Sequence, residues 1–306
     1  MRTPHRLVIA AATLAGFSLA TATTSVDASA VQPRPAVART LKVPTKVLVI
    51  VEENHSLAQM QAGMPYLNRL ATRKYGYASH YRAITHPSLP NYLAIAGGST
   101  FGVTNDNSPA SNGRKVGRAR SVFDQAIARG YTAKTYAESM PGNCYAHPSG
   151  KYAVKHNPWA YFASGRRNCA RYDVPMGTPH HGHLARDIAS GHLPNVGMAV
   201  PNLCNDAHSC SLTSADRWLR RWLPLLLHSR AFTSGRLAVV VTADEGTHSG
   251  PNDVLTVVLH RPGQGGRASN THLSHYSLSK FLSGISGARG LRHARHAHGL
   301  GRAFGL

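Results

Sequence analysis

Apolar runs alternate with amphipathic stretches along this chain, and the alternation predicts strands separated by helices. The run 46–51, Lys-Val-Leu-Val-Ile-Val, is almost continuously apolar, as in a strand covered on both faces of its sheet. The runs 131–136, 196–200, 237–242 and 254–259 predict further strands.

Helical spacing of apolar residues occupies several of the intervals between these runs. Ser121 is a typical N-cap and Gly130 is a typical residue at a helix end. The predicted helices cover 64–73, a segment from about 88 through 96, 121–129, 216–228 and 276–282. Strands that alternate with helices predict an α/β fold, a three-layer sandwich around a mostly parallel central sheet.

The N-terminal residues have the pattern of an export signal. Arg2 and Arg6 precede an apolar run over 7–20, and Ala28-Ser29-Ala30 is a small-residue cleavage pattern. The apolar run is short for a membrane span, although an uncleaved anchor is the alternative. Residues 1–30 are therefore predicted to be the signal peptide of a secreted, extracellular protein.

Composition divides the rest of the chain into three parts. Residues 31–45 are a Pro-rich lead-in, and residues 46–287 are predicted to form one large domain. Residues 288–306 are rich in Arg and His and contain no acid, which predicts a basic flexible tail.

The four cysteines predict two disulfides, because an even number follows an export signal. Three pairings exist. The near-neighbour pairing, Cys144–Cys169 with Cys204–Cys210, is favoured because short loops close easily. Zinc binding by the cysteines is the alternative, and the lack of any CxxC pair in the sequence disfavours it.

The chain is strongly basic. Lys and Arg total 34 against 13 Asp and Glu, a formal net charge of +21. Such a charge favours contact with anionic surfaces or polymers, although it also keeps a secreted protein soluble. A basic secreted polyanion-binding protein without catalysis is therefore an alternative function. Aromatic residues make up 7% and do not interleave with basic runs, which disfavours binding of nucleic acid.

The scarce acidic residues occur at the ends of two predicted strands. Glu52, Glu53 and Asn54 follow the first strand, and Asp244 and Glu245 follow the fourth. In sheets of this type, ligands bind beyond the carboxyl ends of the strands. Because carboxylate oxygens suit divalent cations, the two clusters together predict a metal site. Either cluster alone is better explained as a solvated loop or a helix cap.

Ser88 lies in the stretch Thr-His-Pro-Ser-Leu-Pro-Asn-Tyr, residues 85–92, just before a helical segment. A serine at a helix start can place its hydroxyl beside backbone amides that bind a phosphate oxygen. Near a divalent cation its alkoxide becomes accessible at neutral pH. The alternative is that Ser88 only caps the helix. A serine esterase is disfavoured because no GxSxG elbow surrounds Ser88.

These motifs, in this order, resemble the bacterial phosphoesterase family of the alkaline phosphatase superfamily. The resemblance covers 46 to about 282 and rests on Glu53-Asn54, on the stretch 86–92 and on Asp244-Glu245-Gly246. The stretch 87–91 is also similar to the nucleophile motif of nucleotide pyrophosphatases, in which threonine takes the serine position. The resemblance implies an alkaline phosphatase-like fold and a hydrolase acting on phosphoric esters, of acid phosphatase or of phosphodiesterase and phospholipase C type.

The resemblance also implies roles for individual residues. Ser88 is implied as the nucleophile, and Asn91 as the residue that holds a phosphate oxygen of the substrate. The implied ligands of one divalent metal ion are Glu53, Asn54, Ser88, Asp244 and Glu245. The identity of the metal stays open between Zn, Ca, Mn and Mg.

A second metal is common in the superfamily, and its implied ligands are Asp206, His208 and His275. The chain departs from the two-metal pattern in the short spacing between the first two and in having Asp-Glu where two-zinc relatives have Asp-His. One metal is therefore favoured, with Lys155, His156 and His208 supplying positive charge to the phosphate.

Overall fold

The computed structural model describes residues 43–306 and Ala10. Nearly all of the predicted signal peptide, 1–30, and of the lead-in, 31–45, lies outside the described residues, and both stay predictions. Within the described part of the chain, no helix is both long enough and apolar enough to cross a bilayer.

Among the described residues, eight strands form a central sheet and two short strands pair beside it. The strands are β1 Lys46–Glu52, β2 Gly76–Ala78, β3 Tyr81–Arg82, β4 Ala133–Ala137, β5 Asp173–Pro175, β6 Val196–Val200, β7 Leu237–Ala243, β8 Thr256–Leu259, β9 Arg267–Ser269 and β10 Leu273–Ser274. The order across the large sheet is β5-β4-β6-β1-β7-β8-β2-β9, and β3 pairs with β10.

The sheet is mostly parallel. Strands β5, β4, β6, β1 and β7 run in one direction, and β8 is antiparallel to both of its neighbours. Every residue of β7 and all but the first of β1 are buried. Since successive side chains of a strand point to opposite faces, both faces of the sheet are covered. The predicted α/β sandwich with a mostly parallel sheet is thereby confirmed.

Helices and short helical turns pack around the sheet. The α-helices are α1 Leu57–Gly63, α2 Pro65–Arg69, α3 Ser88–Gly97, α4 Pro109–Val116, α5 Val122–Ile127, α6 Arg166–Tyr172, α7 His183–Ala189, α8 Leu212–His228, α9 Arg230–Thr233, α10 His275–Ile285 and α11 Leu300–Ala303. Single turns of 3₁₀-helix occur at Val154–His156, Pro158–Tyr161, Ala163–Gly165 and Arg292–Arg295, and a π-helical turn spans Leu70–Lys74.

The element boundaries differ from the predicted ones where side chains cap a helix or where the sheet changes direction. Helix α8 begins at Leu212, earlier than predicted, because the Ser211 side chain accepts a hydrogen bond from the amide of Ser214 and caps the helix there. The predicted strand 254–259 begins at Thr256 and is the antiparallel one.

Both predicted disulfides are present. Cys144–Cys169 closes the long segment that contains the 3₁₀ turn Val154–His156, and Cys204–Cys210 closes the loop that follows β6. Each bond therefore restrains a loop close to the carboxyl ends of the strands.

The prediction of a flexible tail is wrong, because residues 288–306 fold onto the domain. Three of their apolar side chains are buried: Ala294, Leu300 and Phe304. The Arg292 guanidinium donates a 2.8 Å hydrogen bond to the carbonyl of Gly97, at the end of α3. The basic residues obscured this pattern of apolar side chains, which anchor the segment by burial.

Candidate active site

Three neighbouring strands deliver carboxylates to one edge of the sheet. Strand β1 lies between β6 and β7, and the segments that follow these three strands carry Glu53, Asp206 and Asp244. The backbone amide of Glu53 donates to the carbonyl of Asp206 at 2.8 Å, and the amide of Asp244 donates to the carbonyl of Glu52 at 2.9 Å. Backbone pairing thus continues past the strand ends and holds the three acids together.

The hydroxyl of Ser88 reaches this group of acids. Helix α3 begins at Ser88, and the Ser88 Oγ donates a hydrogen bond to Glu53 Oε2 at 3.1 Å. Ser88 is 1% exposed and Glu53 is fully buried. The Tyr92 hydroxyl, one helical turn further, donates to the other carboxylate oxygen of Glu53 at 2.5 Å. Helix α3 therefore fixes both the serine and the acid that faces it.

His156 lies between two of the acids. Its Nε2 is 3.3 Å from Glu53 Oε1 and its Nδ1 is 3.3 Å from Asp206 Oδ2. All three side chains are buried, and their ligand-type atoms lie within 4.8 Å of one another. The ring stacks on Tyr92 at a centroid distance of 5.1 Å. A His-and-two-carboxylate set of this kind can ligate a divalent cation.

Several buried polar atoms of this cluster lack hydrogen-bond partners, and these atoms test whether a metal fits. Side-chain atoms without a hydrogen bond are Asn54 Oδ1, Asp206 Oδ2, Asp244 Oδ2, and both ring nitrogens of His156. Buried polar atoms are normally paired, because an unpaired one costs about 1–3 kcal/mol. Three residues that follow adjacent strands, together with His156 from the 3₁₀ turn Val154–His156, offer unpartnered oxygen or nitrogen atoms that match the donor set of a divalent metal ion.

The acids of the cluster also perturb one another's titration. Burial, reinforced by the charges of Asp244 and Asp206, raises the pKa of Glu53 well above its usual value. Burial raises the pKa of Asp206 to about 8 and that of Asp244 to about 7. Crowded carboxyl groups of this kind gain most from a cation, which stabilises their ionised forms. Burial lowers the pKa of His156 well below its usual value, so its ring is neutral and able to act as a ligand.

Glu245 faces the other side of the serine loop, the irregular residues 83–87 that lead into Ser88. Its Oε2 is 3.0 Å from His86 Nδ1 and accepts a 3.2 Å hydrogen bond from the Asn91 side chain. The His86 ring stacks on that of His248 at 4.3 Å. Burial and the charge of neighbouring Asp244 raise the pKa of Glu245 to about 9. The contacts of Glu245 are therefore with His86 and Asn91, whereas those of Glu53 and Asp206 are with His156.

Asn91 holds the serine loop from inside. Its Oδ1 accepts hydrogen bonds from the amides of Ile84 and Thr85, at 2.9 and 3.2 Å. Its Nδ2 donates to the carbonyls of Thr85 and Pro87, at 2.7 and 3.2 Å, besides Glu245. The predicted contact of Asn91 with a substrate oxygen would require this network to open, because both amide hydrogens already have acceptors.

The predicted second metal trio is not gathered at one point. Asp206 faces His156, while the His208 ring is exposed and its Nε2 is 3.4 Å from the Lys155 ammonium. His275 is buried, with Nε2 on the carbonyl of Asp244 and Nδ1 3.1 Å from the Tyr81 hydroxyl. Since a carbonyl only accepts, His275 Nε2 donates and both of its nitrogens are engaged. His275 positions the end of β7 in this arrangement.

Lys155 places a positive charge beside the site. It is held there by Asp106, an acid that the sequence analysis did not identify. Asp106 accepts a hydrogen bond from the Leu89 amide at 2.9 Å and pairs with the Lys155 ammonium at 3.0 Å. Burial disfavours the Lys155 cation, but the hydrogen bond and charge of Asp106, together with the charges of Glu53 and Asp244, outweigh burial and raise the Lys155 pKa. No spacing in the sequence signals Asp106, because it reaches the start of α3 from a separate loop.

Two non-glycine residues in the segments that follow β1 and β6 have left-handed backbone conformations. They are Asn54, with φ 51°, and Ala207, with φ 73°. Asparagine tolerates this region, but alanine does not favour it, and such strain is concentrated at functional sites. Glu52, by contrast, is buried with both carboxylate oxygens unpartnered, and burial raises its pKa well above the usual value. Nothing in the structure assigns a role to Glu52.

The chain matches a family model and several known proteins. The model of the phosphoesterase family matches residues 60–256. The chain is 33% identical over 242 residues to phosphatidylinositol-3-phosphatase of Mycobacterium tuberculosis, covering 77% of this chain and 75% of that protein. It is 35% identical over 224 residues to phosphate-repressible acid phosphatase of Penicillium chrysogenum, covering 67% of this chain and 50% of that protein. The chain thus spans about half the length of this fungal relative.

A solved structure supports the fold. A protein of the alkaline phosphatase superfamily from Vibrio parahaemolyticus aligns with a TM-score of 0.53 at 13% identity, covering 82% of this chain and 68% of that one. The predicted alkaline phosphatase-like architecture is thereby confirmed, as a statement about the fold alone.

Proposed function

Because the chain belongs to the phosphoesterase family, we propose that it hydrolyses phosphate esters by attack of the Ser88 hydroxyl on phosphorus. The predicted enzyme class, a hydrolase of phosphoric esters, agrees with the names of its relatives. The observation that carries the serine assignment is the 3.1 Å hydrogen bond from Ser88 Oγ to buried Glu53, beside unpartnered ligand atoms on three strand ends.

A single divalent cation is part of this proposal. Its proposed ligands are those predicted from the sequence: Glu53, Asn54, Ser88, Asp244 and Glu245. The unpartnered oxygens of Asn54 and Asp244 support it, and the geometry adds His156 and Asp206 to the candidates. When bound, such an ion lowers the pKa of a serine hydroxyl and neutralises charge on a phosphoryl group.

The protein's own residues orient and stabilise the reacting groups. Glu53 accepts the hydrogen bond of the Ser88 hydroxyl and so aims its oxygen, while Tyr92 fixes Glu53. At the start of α3 the Leu89 amide already donates to Asp106, and Pro90 has no amide hydrogen. The Lys155 cation, which lies near this helix start through Asp106, is therefore the group offered to a phosphoryl oxygen. This cation stabilises the charge that develops on the phosphoryl oxygens.

The proposed reaction has two displacements. The Ser88 oxygen forms a bond to phosphorus while the ester bond breaks, and the alcohol leaves with a proton. Water then attacks the phosphoserine, which releases phosphate and restores the hydroxyl. Both relatives named above are phosphatases, which favours phosphomonoesters over diesters as the substrate class. We also propose that the protein is secreted, an assignment supported by its two disulfides.

The alternative of a polyanion-binding protein without catalysis finds no support in the family to which the chain belongs. Electrostatic contact of this basic chain with anionic surfaces remains a proposal that is compatible with catalysis.

The test is turnover of an aryl phosphate by Ser88→Ala, with and without prior chelation. We expect turnover to fall by at least about a thousandfold in the variant, and in the chelated wild type as well. Ser99→Ala, just past the other end of α3, is the matched control and should behave like wild type. Full turnover by a folded Ser88→Ala protein would contradict the nucleophile assignment.

A further inference from the structure

A second group of metal-ligating side chains lies outside the buried cluster. It consists of His86, Glu245 and His248, whose ligand-type atoms lie within 4.8 Å of one another. We name it the outer triad. Glu245 is buried, His86 is partly exposed and His248 is exposed, so the triad opens toward solvent.

In the outer triad, a ring nitrogen of His86 faces a carboxylate oxygen of Glu245. His86 Nδ1 is 3.0 Å from Glu245 Oε2, yet this nitrogen makes no hydrogen bond of proper geometry and is itself buried. A buried nitrogen without a hydrogen-bond partner has capacity for another partner, such as a cation. The His248 ring stacks on the His86 ring with 4.3 Å between their centroids, which brings a second imidazole beside Glu245.

Another stacked histidine pair shows what is special about this one. His80 and His272 stack at a centroid distance of 5.0 Å. Among the described residues, that pair does not belong to any group of three possible metal ligands, whereas His86 and His248 share Glu245. Stacking alone therefore does not make a ligand set, and the carboxylate sets the outer triad apart.

We propose that the outer triad is a separate binding site for a zinc-like divalent cation, which His86, His248 and Glu245 hold at the mouth of the serine loop. Two imidazoles and one carboxylate form a ligand set that suits zinc and leaves a coordination position open. This set differs from the second-metal residues that the sequence predicted, Asp206, His208 and His275. The site adjoins the serine loop through the 3.2 Å hydrogen bond from Asn91 to Glu245.

Its position predicts a cation that exchanges readily. The buried cluster around His156 is shielded from water, whereas His248 is exposed. The open coordination position would accept an oxygen of an anionic ligand, of the class of a phosphoryl group. The outer triad shares Glu245 with the proposed metal site of the hydrolase, so the test must separate the two sites.

The test is zinc binding by the metal-free full chain, measured by calorimetry and by metal content after equilibrium dialysis. We expect wild type to bind one zinc ion more than His248→Ala, or to bind that ion at least about tenfold more tightly. His272→Ala, from the other stacked pair, is the matched control and should bind like wild type. Glu53→Gln should keep the histidine-dependent ion while losing the buried one.

Several results would overturn the proposal. These are equal zinc stoichiometry and affinity for wild type and His248→Ala, an equal loss in His272→Ala, and loss of the histidine-dependent ion in Glu53→Gln. Cobalt absorption provides a second measurement, because a ligand-field band should disappear in His248→Ala and remain in Glu53→Gln. Failure of the hydrolase proposal is seen separately, as full turnover by Ser88→Ala.

Discussion

Two fully buried aspartates with similar titration have different surroundings. Asp173, at the start of β5, accepts 2.7 Å hydrogen bonds from Thr135 on one oxygen and from Asn157 on the other. Asp244, just after β7, accepts two backbone hydrogen bonds on Oδ1 and has no partner on Oδ2. Burial raises the pKa of each to about 7. The raised pKa is therefore common to both aspartates. They differ in whether both carboxylate oxygens have a hydrogen-bond partner.

The difference in hydrogen bonding distinguishes a structural role for Asp173 from a role of Asp244 in the site. Both oxygens of the Asp173 carboxyl group are engaged by protein donors, so this group holds the fold. The Asp244 carboxyl group keeps a vacant oxygen at an edge where Glu53 and Asp206 converge. The two regions are joined, because Asn157 directly follows His156 in the chain. The Asp173 network thereby helps to position the histidine of the site.

The largest expected effect is on kcat/KM, which should depend on Asp244 far more than on Asp173. Asp244→Ala should lower kcat/KM for an aryl phosphate by about a thousandfold, because it removes a proposed metal ligand next to Ser88. Asp173→Asn keeps the shape of the side chain and should lower it by no more than a few-fold. Steady-state kinetics on the folded proteins measure both, and equal losses would erase the distinction.

The second prediction concerns stability, for which Asp173 should matter more than Asp244. Asp173→Ala leaves Thr135 and Asn157 without their acceptor in the core and should lower the free energy of unfolding by about 3 kcal/mol. Asp244→Ala relieves a buried, incompletely paired carboxyl group and should leave the metal-free protein equally or more stable. Urea denaturation of metal-free protein measures both. The comparison fails if Asp244→Ala is the more destabilising of the two.

The third effect is the dependence of stability on pH that Asp173 contributes. Its folded pKa of about 7 is above the unfolded value, so folding takes up a proton between these pKa values. This contribution is complete below about pH 4 and is lost as the pH rises to about 7. Between about pH 5 and pH 6.5, wild type should lose about 2 kcal/mol more than Asp173→Asn. Parallel pH profiles of the two proteins would contradict this origin.

The smallest effect concerns the groups that hold the acids. Tyr92→Phe removes one hydrogen bond to Glu53 and should lower kcat/KM by about tenfold, since such bonds contribute about 1–2 kcal/mol. Tyr136→Phe is the matched control, because Tyr136 also donates to a carboxylate, that of Asp187, at 2.6 Å. Equal kinetics for the two variants would remove Tyr92 from the site.

The sequence supported the prediction of those parts of the site that adjoin a strand or a helix start. Glu53 and Asp244 follow long apolar runs, and Ser88 precedes a helix, so their place at one edge follows from the sheet alone. Pairing of the cysteines was predictable from short loop closure. Periodicity does not reveal which of two consecutive acids faces the site; the family resemblance implied Glu53, and the structure places its carboxylate against Ser88 and Tyr92.

Contacts between distant loops were beyond sequence reasoning. Asp106 caps α3 from another loop, and His156 reaches Glu53 from the disulfide-closed segment. The C-terminal segment was misjudged because its charge dominates its composition, whereas Leu300 and Phe304 determine its packing. These features depend on tertiary packing, which no local pattern encodes.

The most direct test of the account is the metal content of the purified full chain after dialysis against metal-free buffer. Wild type should retain a divalent ion that Asp244→Ala does not, while Asp173→Asn retains it as wild type does. Equal metal content in Asp244→Ala and wild type, with both proteins folded, would contradict the claim that the unpartnered acids at these strand ends hold a cation beside Ser88.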